Sequence, residues 1–101
     1  PGAEAEYSAL NAREAVAIDN AIAKLENAGP FLQFPHSSAV KGARKLRELR
    51  SRGGRSTVRA LYRQIGEVLV IGAFGPEAES DLKGFRKTCR LAESRLDDVE
   101  E

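Results

Sequence analysis

In Leu46-Arg47-Glu48-Leu49-Arg50 a carboxylate stands two residues from a guanidinium on either side of a leucine, and Arg59-Ala60-Leu61-Tyr62-Arg63 follows after a glycine-containing break. Residues two apart share a face of an extended strand, so Glu48 projects with Arg50, and Arg59 with Leu61 and Arg63. Guanidinium groups grip phosphate oxygens through paired charge-assisted hydrogen bonds. If Arg50 and Arg59 point to the same open face, they form a clamp for a scissile phosphate, with Glu48 beside them. The chemistry this set suits is RNA cleavage by attack of a 2′-hydroxyl on its own phosphate. Arg50 and Arg59 would neutralise the developing charge, and Glu48 would take the hydroxyl proton. Ringed by arginines, Glu48 reads first as the ion-pair partner that orients them and only second as a base.

The positive field around these residues is local. The chain carries a net charge of only +1, yet residues 41–64 hold nine Lys/Arg and the single acid Glu48, whereas residues 1–40 sum to −3 and residues 65–101 to −4. Such a basic middle between acidic ends is the footprint of a protein that binds phosphates. Arg47, Arg52, Arg55 and Arg63 are the expected RNA-binding residues around the clamp. Lys83, Arg86, Lys87 and Arg90 form a second basic cluster that either extends a phosphate track or solvates the outer face of a closing helix, the second being the expectation.

Other candidates weaken on inspection. Tyr62 falls on the opposite strand face from Arg59 and is expected in the core. His36 lies in Phe34-Pro35-His36-Ser37-Ser38, where local hydrogen bonding is a better reading than proton donation to a leaving group. The one cysteine, Cys89, sits on an apolar helical seam and reads as packing. With one His, one Cys and no acid-rich ligand motif, neither a metal site nor a cofactor is expected.

These residues need elements to hold them. The 101 residues make room for one domain, expected over 1–101, with a modest core. Asn11 followed by Glu14 forms a capping pair. Ala15, Ile18, Ile22 and Leu25 then recur at helical spacing until Gly29-Pro30 stops the run. A shorter helix over Ala3 to Leu10 completes a helical hairpin. Phe31 to Lys41, with its prolines and serines, predicts an irregular crossing loop anchored by Phe31, Leu32 and Phe34. Leu46 to Arg50, Thr57 to Ile65 and Val68 to Phe74 predict three antiparallel strands, the last two joined by Ile65-Gly66-Glu67. Leu82, Phe85, Cys89, Ala92, Leu96 and Val99 draw the seam of a closing helix, and Asp97 to Glu101 are expected to fray. The fold class is α+β: a helical hairpin packed on a small antiparallel sheet, closed by a C-terminal helix. No signal-like start or bilayer-length apolar run is present, so a reducing cytoplasm and no membrane partner are expected.

With the residues placed, the chain resembles the RelE/HigB-like toxins of bacterial type II toxin–antitoxin systems, in their phage-derived branch of the RelE/ParE superfamily. The resemblance lies in Leu25-Glu26-Asn27-Ala28-Gly29-Pro30-Phe31-Leu32, Pro35-His36-Ser37, Leu46-Arg47-Glu48-Leu49-Arg50, Arg59-Ala60-Leu61-Tyr62 and the closing Ala92-Glu93-Ser94-Arg95. It implies a metal-independent, ribosome-dependent mRNA endonuclease. Its partners would be the ribosome, mRNA and a cognate antitoxin, often of helix-turn-helix type. It also implies that Arg50 and Arg59 act on the transition-state phosphate and that Glu48 is the acid of the Glu-Leu-Arg element. The chain departs from the pattern after its last strand. There Gly75-Pro76-Glu77-Ala78-Glu79 stands where the family commonly carries Lys-Lys or Lys-Arg, replacing positive charge with negative. It departs again at Pro1-Gly2-Ala3-Glu4, which leads directly into helix-like sequence where the family has an opening strand. Two alternatives remain open: a gyrase-poisoning toxin like the ParE relatives, and a degenerate member that keeps only antitoxin binding.

Overall fold

The computed structural model describes residues 2–33, 36–43, 45–51 and 56–100. A short helix, α1 (Gly2–Ser8), precedes α2 (Ala12–Ala28), whose start is a reciprocal cap. The Asn11 side chain accepts from the Glu14 N–H at 2.8 Å, and the Glu14 carboxylate accepts from the Asn11 N–H at 3.0 Å. Gly29 ends α2 with φ 58°, a conformation a side chain would resist, and its N–H closes on the Leu25 carbonyl.

Four strands follow: β1 (Ser37–Ala39), β2 (Arg47–Arg50), β3 (Val58–Ile65) and β4 (Val68–Pro76), and α3 (Leu82–Glu100) closes the chain. The strands form one antiparallel sheet in the order β1-β2-β3-β4. The β3–β4 hairpin turns through Gly66, whose φ of 63° supplies the left-handed residue that a tight hairpin needs.

Helices cover both faces of the sheet. On one face Ile18, Ala21 and Leu25 of α2 pack with Leu49, Val58, Ala60 and Tyr62, and Tyr7 and Leu10 join from the α1 segment. On the other, Cys89, Ala92 and Leu96 of α3 pack with Leu46, Leu61 and Ala73. Close approach of α3 depends on a bulge. Leu61 faces Ala73 but Tyr62 faces Ile71, so Gly72 is the extra residue. A Cβ there would lie 2.8 Å from Leu96 Cγ and 3.1 Å from Ala92 Cα. At this bulge the outer edge of β4 is closed by one ion pair. Glu6 accepts from the Phe74 N–H, Arg95 donates to the Gly72 carbonyl, and the two side chains meet at 3.0 Å.

The α+β class, the helical hairpin segment on one face and the closing helix are as expected from the sequence; three local expectations change. The segment expected to be an irregular loop contains β1, because Ser37–Ala39 pairs with Leu49, Glu48 and Arg47. Serine has little strand preference, and the ladder bonds of β2 decide the matter. Phe31 is no anchor, being 82% exposed, while Leu32 is buried; Phe34 lies outside the described residues. The end of α3 stays helical through Glu100, although Leu82 and Val99 lie largely exposed at either end of the expected seam.

Candidate functional site

Antiparallel pairing of β2 with β3 sets Arg50 directly opposite Arg59 and Glu48 opposite Leu61. Alternation puts Glu48, Arg50 and Arg59 on the face that α3 covers. One carboxylate oxygen joins them: Glu48 Oε1 accepts from Arg50 Nη1 at 3.1 Å and from Arg59 Nε at 3.2 Å. The two arginines differ in access. The Arg59 side chain is 3% exposed and that of Arg50 22%.

Arg59 is engaged on every nitrogen. Besides Glu48, its Nη1 donates to the Ser56 and Val58 carbonyls, and its Nη2 to Glu77 Oε2 at 2.7 Å. Glu77 is itself held, since Ser80 Oγ donates to its other oxygen and its N–H to the Thr57 carbonyl. The acid that departs from the toxin pattern is thus the second partner of Arg59. The face expected to be open is closed at Arg59 and partly accessible at Arg50, whose side chain is 22% exposed.

Arg63, expected among the RNA-binding residues, lies under the end of α3. Its Nη1 donates to Asp97 at 2.7 Å and Glu100 at 2.6 Å, and its side chain is 4% exposed. The bond to Asp97, followed by that to Glu100, raises its pKa against the opposing effect of burial. Neither acid was singled out from the sequence, although their three-residue spacing puts them on one side of a helix. Arg47 projects to the opposite face, where its Nε donates to Ser37 Oγ and Tyr62 Oη, hydroxyls 2.5 Å apart. Tyr62 is buried there. Arg52 and Arg55 lie outside the described residues, as does Arg44.

His36 stands beside the cluster in register, its carbonyl accepting from the Arg50 N–H at 2.7 Å. Its Nδ1 is buried with no hydrogen-bond partner among the described residues. Cys89 reaches the same region from α3. Burial first, then the Glu48 carboxylate, pushes its thiol up to about 11, which leaves it protonated and a poor nucleophile at neutral pH. Among the described residues, no group of three or more His, Cys, Asp or Glu is placed to hold a metal ion, and no helix is long and apolar enough to cross a membrane.

The arrangement is a buried, carboxylate-bridged arginine pair with one accessible member, built from two adjacent strands and locked by a loop acid. The sequence matches the family described as "Phage derived protein Gp49-like (DUF891)" over residues 5–74. The chain belongs to this family. The Gp49-like match runs from within α1 into β4 and contains Glu48, Arg50, Arg59 and Arg63. It stops short of Glu77 and α3. No curated protein and no solved structure matches the chain.

Proposed function

We propose that this Gp49-like protein is the toxin of a type II toxin–antitoxin pair, acting in the cytoplasm as a metal-independent, ribosome-dependent mRNA endonuclease. The observation that carries the reading is Arg50 set opposite Arg59 with Glu48 between them. Two guanidinium groups converge there on Glu48 Oε1, within a chain whose Arg47–Arg50 and Arg59–Tyr62 segments resemble RelE/HigB toxins. Arg50 contacts the scissile phosphate. Arg59, once the phosphate displaces Glu77 from it, stabilises the charge that develops there, and Glu48 holds both guanidinium groups in place. Arg52 and Arg55 engage flanking RNA. The antitoxin is a small helix-turn-helix protein encoded next to this chain.

The test is tightly controlled expression without and with that neighbouring frame, together with mapping of mRNA ends on programmed ribosomes. Growth arrest with ribosome-dependent cleavage, relieved by the neighbour and lost in Arg50→Ala, supports the reading. Inhibition of DNA supercoiling without cleavage overturns it in favour of a gyrase-directed toxin. A second reading has its own observation. Glu77 occupies Arg59 where the toxin pattern carries cations, which suits a member that binds its antitoxin without cleaving. Complex formation with the neighbour but no growth arrest would select that reading.

A further inference from the structure

The charges on α3 run against the helix that carries them. A helix is stabilised by acids near its N-terminus and bases near its C-terminus, yet beyond the Asp81 cap α3 has no acid in its first turn and no base in its last. The acidic end is explained inside the molecule, because Asp97 and Glu100 pair with Arg63, and Glu100 also meets Lys45. The basic end is not. Lys83, Arg86, Lys87 and Arg90 are all exposed, and none of them forms an ion pair or side-chain hydrogen bond among the described residues. Their three- and four-residue spacing places like charges side by side, which by itself works against the helix. Glu93, one turn beyond Arg90, does not pair with them either. The sheet cations show the opposite pattern, with Arg50, Arg59 and Arg63 all bound to carboxylates.

We infer that the Lys83–Arg86–Lys87–Arg90 stripe of α3 is a binding surface for the sugar–phosphate backbone of structured RNA. The inference rests on the proposed function, in which the chain works on RNA, and assigns the grip on the surrounding RNA to a surface separate from the arginine cluster. The ligand class follows from what the stripe contains and lacks. It has four cations and no aromatic, Phe85 being packed into the α3 core, so it offers charge to phosphates and nothing for bases to stack on. Lys83 and Arg90 are separated by about 10 Å along a rigid helix, which suits the fixed phosphate array of a duplex better than a flexible single strand. A lipid surface fits less well. The apolar face of α3 is spent on the sheet, with Ala92 and Leu96 fully buried, and cannot insert. The stripe also begins near the cluster: Glu77, which holds Arg59, accepts from the Asp81 N–H through its carbonyl, and Asp81 caps the first turn of α3 at Gly84.

The test uses the full chain and a variant carrying Lys83→Gln, Arg86→Gln, Lys87→Gln and Arg90→Gln, with a short RNA duplex as probe. Affinity is read over about 50 to 200 mM salt. The unmodified chain is expected to show a slope of log affinity against log salt of about −3, at about −0.7 to −0.9 per phosphate contact. The variant should bind at least about tenfold more weakly, with a slope shallower than about −1, a melting temperature that is no lower and an unchanged circular dichroism spectrum. A control carrying Arg13→Gln and Lys24→Gln, both exposed on α2, should keep most of the slope. Unchanged duplex binding by the four-site variant overturns the inference and leaves the proposed function standing. Equal binding to vesicles of anionic phospholipid, lost in the same variant, overturns the assignment to RNA. Duplex binding through α3 by a chain that cleaves nothing on ribosomes supports the inference while removing the proposed function.

Discussion

Glu77 Oε2 accepts from Arg59 Nη2 at 2.7 Å, so the most buried arginine of the cluster is bound by an acid that follows the last strand. Register brings the two together: Arg59 lies opposite Gly75, and the Glu77 N–H, two residues on, is fixed by the Thr57 carbonyl. A phosphate that reaches Arg59 must displace a carboxylate. Glu77 therefore stands in the place of the anion that Arg59 would otherwise attract.

Glu77→Gln should loosen that hold. The charge-assisted bond is lost while Glu48 still supports Arg59, so the variant should lose about 1.5–3 kcal/mol of stability. RNA cleavage per folded molecule should rise. Thermal melting and single-turnover cleavage on programmed ribosomes separate the two effects. Lower stability with unchanged cleavage would make Arg59 a structural residue alone.

Glu48→Gln removes the charge shared by Arg50 and Arg59. It should cost about 2–3 kcal/mol and slow cleavage by about tenfold or less, because an organiser can be partly replaced by a neutral acceptor. A loss of several orders of magnitude in the single-turnover rate would instead identify Glu48 as the base.

Arg63→Met should lower the melting temperature by several degrees and release the last turn of α3, leaving the salt slope of RNA binding unchanged. The pH dependence has a definite sign. Because the Arg63 pKa is raised, its contribution is complete below the ordinary arginine value and is lost only as pH climbs past the raised one. Deprotonation of this arginine therefore contributes no loss of stability between about pH 5 and 9. Amide exchange at the end of α3 in Arg63→Met is the direct readout, and a protected last turn would contradict the anchoring role.

Gly72→Ala should destabilise by about 1–3 kcal/mol through overpacking, since the added Cβ meets backbone at Ala92 as well as the Leu96 side chain. Chemical denaturation measures it. A neutral result would mean that α3 can move off the bulge.

Much of the fold was legible because its signals are local. The Asn11–Glu14 box, the Gly29 stop, the Gly66 turn and the alternation of Arg59, Leu61 and Arg63 each depend on neighbours within a few residues. β1 was not legible, since Ser37–Ala39 becomes a strand only by pairing with β2. The shared face of Glu48, Arg50 and Arg59 was readable from strand period and pairing. The access to that face was not.

The sequence by itself determined the elements other than β1, the two basic segments and the grouping of Glu48 with two arginines, because helix caps, turns and strand period are written in adjacent residues. Only the tertiary structure decided which charges stay available. Arg59 and Arg63 are matched by Glu77, Asp97 and Glu100 from distant stretches of chain, so local charge density overstates the field of the sheet. The four cations of α3 look like an ordinary solvated face from spacing alone; the structure shows that Glu77, before the helix, holds Arg59 and that Asp97 and Glu100, at its far end, hold Arg63. Screening of charge depends on distance in space, which sequence spacing does not report.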